Sequence, residues 1–424
     1  MKEYLFGLQI FANPNTNVTT DVGLTAEMKT YYDRNLIRSA EPNLVHDQFG
    51  MKRPIPANNG KIIEFRKFKS LPKALVPLTE GVTPDGKKLT VETITSQVSQ
   101  YGDYITQSDV LELTALDNTI LEATKLLGNQ AGVTLDTVVR NVLHSGTGIQ
   151  YAEKWSGTTP TEVTTREGLD ITSKITVELI ERCVAKLRSR NVPTINGAYV
   201  GIVHPHIAYE IMRDPEWRKP HDYCDPENLY KGEIGMWGGV RFVQSSEAKI
   251  YRGGDLSAAS RTLTVASFNT STKVVGIDET LTTADQAALV GREVIIDGIH
   301  YDITAVPSAS SFTVKAAPAS NYPADGDKVF PGEGTIQTDS GVTTDIAVYG
   351  VLLLGADAYG VTEIEGGGLE TIVKQKGSAG TSDPLNQRSS VGWKAIKTAE
   401  ILQDEYIIRI LCTSEKFSRS AKGN

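Results

Sequence analysis

LDNTILEATKLLGNQAGVTLDTVVRNVLH, from Leu116 to His144, is the longest helical pattern in the chain, and the remainder is read outward from it. Leu116, Ile120, Ala123, Leu127, Ala131, Leu135, Val138 and Val142 recur at steps of three or four, which places them on one stripe of an α-helix. Asp117 or Asn118 can cap its start, Glu122 suits the positive N-terminal end, and Arg140 and His144 suit the negative end. Ser145-Gly146 and Gly148 stop it. Such a helix runs roughly 40 Å, the length of a backbone shared by several subdomains. Gly128 and Gly132 inside it each cost about 1 kcal/mol against alanine, so packing has to hold it straight.

The 424 residues exceed what one hydrophobic core usually serves, and two or three subdomains are expected. Forty-three Lys and Arg stand against 51 Asp and Glu, a net charge of -8, which gives the surface no general grip on nucleic acid and argues against a DNA-reading module. Cys183, Cys224 and Cys412 lie far apart without a C-x-x-C pair, which fits a reducing compartment and no disulfide framework. Met1 to Ala12 imitates a signal peptide, but Gly7 and Gln9 interrupt its apolar run and no A-x-A site follows, so a short packing arm is expected. No stretch is long and apolar enough to predict a membrane helix.

On the N-terminal side of the helix, residues 1–60 read as an extended arm with one helical candidate from Thr25 to Ser39. Lys61 opens a strand texture through Ile62, Ile63, Phe65 and Phe68; a polar hinge containing Asp85-Gly86 follows, and Leu89 to Thr106 returns, β-branched and polar on both faces. Two strands with no third partner and no clear apolar face are marginal alone in water, so this ribbon has to lie across another surface, its own or a neighbour's. Ser108 to Ala115 is a short helix, with Asp109 and Glu112 spaced as a capping-box variant.

On the C-terminal side, a second amphipathic helix runs from Thr176 to Arg190 on Val177, Ile180, Val184 and Leu187. Ala198 to Val203 is a short buried strand, and Pro205 opens a helix carrying Ile207, Ala208, Ile211 and Met212. From Leu256 to Phe330 short β-rich runs are broken by Gly, Pro, Asp and Ser, the pattern of a small antiparallel barrel or sandwich inserted between flanking glycines. Strands Ile346–Leu354, Leu369–Gln375, Gly392–Ala399 and Tyr406–Leu411 follow, and residues 413–424 read as a polar tail.

Catalysis has no visible owner. His204, His206, His221 and Cys224 are the one tempting metal set; their spacing matches no zinc pattern, and His204-Pro205 is more simply a strand-to-helix corner. Gly232, Gly235, Gly238 and Gly239 precede a strand, Val240 to Gln244, which excludes both a P-loop and a dinucleotide turn. No cofactor is expected.

Taken together, the arm, ribbon, long helix, second helix, α/β corner, inserted β domain and returning strands resemble tailed-bacteriophage major capsid proteins of the Hong Kong 97-type fold. The wording Gly235-Met-Trp-Gly-Gly-Val-Arg-Phe-Val-Gln-Ser-Ser-Glu-Ala248, Val203-His-Pro205 with Arg213-Asp214, and Ser382-Asp-Pro-Leu-Asn-Gln-Arg388 before Val391-Gly-Trp-Lys394 is similar to the N-four-like podovirus branch. The resemblance implies an α+β fold. It comprises an N-terminal arm (1–60), an extended loop (61–108), a peripheral domain (109–198 and 377–417) on the spine helix 116–144, an axial domain (199–255 and 336–376), an inserted β domain (256–335) on the outer face and a tail (418–424).

It further implies self-assembly through hexamers and pentamers into an icosahedral shell around double-stranded DNA, made in the host cytoplasm and ending in the virion. Partners would be a separate scaffolding protein, a portal protein, a decoration protein on the inserted domain, and packaged DNA bound weakly and without sequence preference. Asp85, Gly86, Lys87 and Lys88 at the ribbon tip are the expected inter-subunit contacts, with no catalytic or metal residues. Some relatives crosslink such a lysine to an asparagine, which would need an apolar pocket beside a carboxylate. Three other readings stay open: an encapsulin-like bacterial compartment, a metal-dependent hydrolase on His204, His206 and His221, and a secreted β-rich adhesin resting on the insertion.

Overall fold

The structure is a computed structural model. It describes residues 36, 44–56, 60–68, 71, 73–75, 77, 80, 81, 83, 86–114, 119–217, 235–318, 322–339, 342–362, 368–374, 385 and 387–424. The chain forms two compact units, one from Met1–Leu44, Ser99–Thr134 and Glu363–Lys397, the other from Val45–Val98, Leu135–Thr362 and Thr398–Asn424.

The long helix runs from Thr119 to Leu143, so its expected caps Asp117 and Asn118 lie outside the described residues. Its buried stripe is Ala123, Leu127, Ala131, Leu135, Val139 and Leu143. The sequence pattern had placed Val138 and Val142 there. The stripe turns by one position in the last two turns because Asp136, Arg140 and His144 are buried as well, each with polar partners to satisfy.

In the first unit, Arg388–Lys397 is the middle strand of three. Ser99–Ser108 pairs antiparallel along one side, Arg388 opposite Ser108 through Lys397 opposite Ser99, and Glu370–Lys374 pairs along the other. The short helix Asp109–Thr114 continues the Ser99–Ser108 strand, and Ser108 caps it by accepting from the Leu111 amide at 3.3 Å. Expected caps were Asp109 and Glu112; Asp109 instead accepts from the neighbouring Val110 amide at 2.8 Å.

The second unit is organised on a sheet in the order Ile149–Tyr151, Ile407–Cys412, Val348–Leu354, Tyr199–Val203, Val240–Gln244, Met236–Trp237, with Ile250–Tyr251 against Val348 and Tyr349. Tyr199–Val203 and Val348–Leu354 are buried along their whole length, as central strands covered on both faces must be. The helix Val177–Ser189 buries Val177, Leu179, Ile180, Cys183, Val184 and Leu187 against one face of this core, each full burial contributing about 1.5–3 kcal/mol. Thr176 caps it, accepting from the Leu179 amide. Pro205–Arg213 follows the corner with His204 as its cap and buries Ile207, Ala208 and Ile211; Met212, expected on that face, is exposed. Gly238 and Gly239, at φ 57° and 90°, make the two-residue turn into Val240–Gln244 that only glycines adopt cheaply.

The insertion is a closed barrel of six strands: Leu263–Asn269, Val274–Ile277, Ser311–Val314, Ile299–Ser308, Glu293–Ile296 and Lys328–Pro331, in that order around the ring. Its core of Leu263, Val265, Val275, Val294, Ile296, Ile303, Phe312 and Val329 among others is its own. The stalks meet where the Gly253 amide donates to the Gly332 carbonyl at 2.6 Å.

Residues 413–424, read from the sequence as a polar tail, are packed. Thr413, Ser414 and Ser418 are fully buried, the Arg252 guanidinium donates to the carbonyls of Arg419 (3.0 Å) and Ala421 (2.6 Å), and Asn424 accepts from the Ile250 amide.

Candidate assembly surface

The ribbon begins with Ile62–Phe68 paired antiparallel to Val91–Gln97, Phe68 opposite Val91 and Ile62 opposite Gln97. The expected return limb, Leu89 to Thr106, is two strands: it breaks at buried Val98, whose amide donates to the Lys61 carbonyl at 3.0 Å, and Ser99 onward pairs with Arg388–Lys397.

The two faces of the ribbon differ. Phe65 is buried and Ile63, Ile94 and Ser96 share its face. The Phe65 ring closes over Gly360, where a Cβ would sit 2.7 Å from it, and Ser96 Oγ lies 3.1 Å from Thr398 Oγ1. The opposite face carries Ile62 and Phe68, each about 60% exposed, with Val91 beside Phe68 and with Glu64 and Arg66 between. Leu71, Leu75 and Leu89 beyond it are exposed as well. Large apolar side chains left exposed along a ribbon mark a candidate interaction surface. Of the expected contact residues, Gly86, Lys87 and Lys88 are exposed, and Asp85 lies outside the described residues.

The first unit also has exposed apolar side chains. Tyr104, Ile105, Val110, Leu111, Leu126 and Leu385 are exposed, while Trp393 on the middle strand is buried and its indole N–H donates to Gln130 Oε1 at 3.3 Å. Gln130 also donates to Asp103 at 2.7 Å, and that bond, with the Tyr104 amide, holds the Asp103 carboxyl below its ordinary range.

Three polar residues one helical turn apart are buried in the second unit. Asp136 meets His46; Arg140 donates to the Glu247 carbonyl at 2.7 Å; His144 Nδ1 lies 3.0 Å from the Tyr251 hydroxyl, and Arg409 donates to the His144 carbonyl and, at 3.1 Å, to Tyr251. Burial, followed by the nearby Arg409 charge, drives the His144 imidazole well below its ordinary pKa, so it is a neutral hydrogen-bonding post. The stripe escaped sequence reading, although the i, i+4, i+8 spacing of Asp136, Arg140 and His144 beside an apolar stripe was there to be seen.

His204 and His206 are engaged in capping and packing. His204 is lowered to about 4, chiefly by burial, and accepts from the His206 amide; His206 stacks on Phe417 at 4.2 Å and meets the Tyr349 hydroxyl at 2.8 Å. His221 and Cys224 lie outside the described residues, and among the described residues no three His, Cys, Asp or Glu side chains gather as metal ligands. Burial pushes the Cys183 thiol up to about 11, away from nucleophilic use. No described helix is long and apolar enough to cross a membrane.

Comparison with known proteins agrees with a shell-forming role. The sequence model of one family, described as phage capsid protein, matches residues 118–376, well over half of the chain. The fold is similar to that of a chain in the capsid structure of the cyanophage P-SCSP1u, with TM-score 0.51, 11% identity and 88% of each chain covered. It is also similar to a chain in the capsid asymmetric unit of the cyanophage Pam1, with TM-score 0.50, 10% identity, 89% of this chain and 92% of that one covered. At these identities the likeness is one of fold. No curated protein matches the sequence.

Proposed function

This chain belongs to the phage capsid protein family, and from that premise we propose that it is the major shell subunit of a tailed phage, built to be stable among copies of itself. The observation that carries the reading is the ribbon: one face is anchored by Phe65 over Gly360, the other leaves Ile62, Phe68 and Val91 to solvent. Burying that face on a neighbour removes apolar surface and protects two strands that are marginal alone. Repetition over a closed lattice then makes modest contacts strong.

In this proposal the copies gather as hexamers and pentamers of the Hong Kong 97-type, in the N-four-like podovirus branch. The ribbon is the extended loop, the helix Thr119–Leu143 the spine of the peripheral domain, and the sheet around Tyr199–Val203 and Val348–Leu354 the axial domain. The barrel faces outward, where a decoration protein would find it. Scaffolding and portal proteins, and DNA held without strong attraction by an acidic chain, complete the particle assembled in the host cytoplasm. The family described by the matching model supports this reading over the compartment, hydrolase and adhesin readings.

Electron microscopy of the purified chain tests it. Closed or tubular arrays of uniform subunits are expected; a solitary particle that stays monomeric at high concentration, with and without a co-expressed scaffold, overturns it.

A further inference from the structure

Charge is unevenly spread along this chain. Residues 51–100, the stretch that contains the ribbon, carry nine Lys and Arg against four Asp and Glu, a net of +5; the remaining residues carry 34 against 47, a net of -13. Part of the positive excess gathers at a cleft of about 510 Å³ between the strand Ile62–Phe68 and the Met51–Arg53 segment, with Arg53, Arg66 and Lys67 on its wall. Among the described residues Asp357 is the one carboxylate that lines it, and no ion pair holds Arg53, Arg66 or Lys67; Lys52 beside them is tied to Asp47 at 3.6 Å. Arg66 is exposed and follows Phe65 in the strand, so it points off the face opposite the one anchored over Gly360. Phe68 borders both this cleft and the exposed apolar face of Ile62 and Val91, so whatever covers one meets the other.

We propose that copies of this chain find one another by charge: Arg53, Arg66 and Lys67 take carboxylates on the acidic body of a second copy, and ionic strength thereby gates the association that the apolar face completes. The occupant follows from the balance. A body with a net of -13 repels its equal and attracts a protrusion of +5, so ribbon on body is favoured over body on body. Duplex DNA has the right charge for the cations, but a phosphate backbone would leave Ile62, Phe68 and Val91 wet, whereas a protein surface takes carboxylate and apolar contacts together. Guanidinium groups suit the task, since Arg53 and Arg66 can each present paired donors to one carboxylate. At physiological salt exposed charges act over only about 8 Å, so the attraction works on the last step of approach and fades as salt is added. Steering of this kind presupposes the shell reading and adds what brings its copies together.

Light scattering and sedimentation follow association of the purified full chain between roughly 50 mM and roughly 500 mM sodium chloride. The initial rate is expected to fall about tenfold over that range, whereas contact through the apolar face alone would not slow, because screening does not weaken apolar burial. The triple variant Arg53→Gln, Arg66→Gln, Lys67→Gln should start about tenfold slower at low salt and respond little to further salt, with a urea midpoint matching wild type as the check that it folds. Glu64→Gln, which removes an acid from the face that carries Arg66, should associate faster than wild type. A wild-type rate indifferent to salt, or a folded triple variant with the wild-type rate and salt response, overturns the steering, while the particles formed leave the shell reading intact. A triple variant that assembles like wild type but loses retention of duplex DNA assigns the cleft to packaged DNA and overturns the steering equally. A wild type that never associates at any salt removes the shell reading, and the steering with it.

Discussion

His46 and Asp136, 90 residues apart in sequence, grip each other twice: the His46 amide donates to Asp136 Oδ1 at 2.7 Å and the ring Nδ1 lies 2.6 Å from Oδ2, with both side chains fully buried. The pair fastens the segment leading to the ribbon onto the long helix. Removing one member strands the other's polar groups away from water. Asp136→Ala is expected to cost about 3–5 kcal/mol, read as a lower urea midpoint of the unassembled chain. An unchanged midpoint would show that the pair contributes nothing to this fold.

Stability should also fall in acid, and the sign follows from burial. His144 and His204 are held below their ordinary pKa, His204 at about 4, so as pH drops through about 6.5 the unfolded chain binds protons that the folded chain refuses. Their contribution is full above that pH and is lost towards the folded value. His204→Asn keeps a side chain able to cap Pro205–Arg213 and removes one titration; it should lessen the loss between pH 7 and pH 4.5 by roughly 2 kcal/mol in denaturant melts. Identical pH slopes in variant and wild type would contradict the burial argument.

Phe68→Glu, alone or with Ile62→Glu, separates folding from assembly. Both positions face solvent, so the unfolding free energy should stay within about 0.5 kcal/mol of wild type. Assembly should be abolished, seen by sedimentation as subunits that never enter the particle peak. Normal particles from the double variant would remove the ribbon's outer face from the interface.

At the ribbon's root the test is steric. Gly360→Ala puts a methyl group 2.7 Å from the Phe65 ring, and the ring has to leave or the strand has to shift, at about 1–3 kcal/mol. Faster amide exchange in Ile62–Phe68, with little change in the barrel, is the expected signature.

Much of this architecture was readable because it follows local rules. The helix Thr119–Leu143, the helix Val177–Ser189, the His204-Pro205 corner and the inserted barrel each announce themselves by period or turn chemistry. The errors arise where distant contacts decide. Val138 and Val139 serve a helical stripe equally well in sequence, and only the burial of Asp136 and Arg140 selects Val139. Nothing at Val98 resembles a breaker; the strand ends there because its next residues find Arg388–Lys397. Thr413, Ser414 and Ser418 look like surface residues until partners for their hydroxyls appear, the Ser173 carbonyl and Glu210 for the first two and the Ser414 amide for Ser418. The apolar outer face of the ribbon is disguised in the sequence by Glu64, Arg66 and the threonines that alternate with its apolar residues.

The meeting of Gly253 with Gly332 has an evolutionary corollary. A chain that departs and comes back through one point can gain, lose or trade everything in between without any strand of the main sheet changing its neighbour. Kindred genes should therefore differ most in what they carry between those two glycines, some bearing another module and some only a tight connection, while the pairing of Tyr199–Val203 with Val348–Leu354 persists beneath.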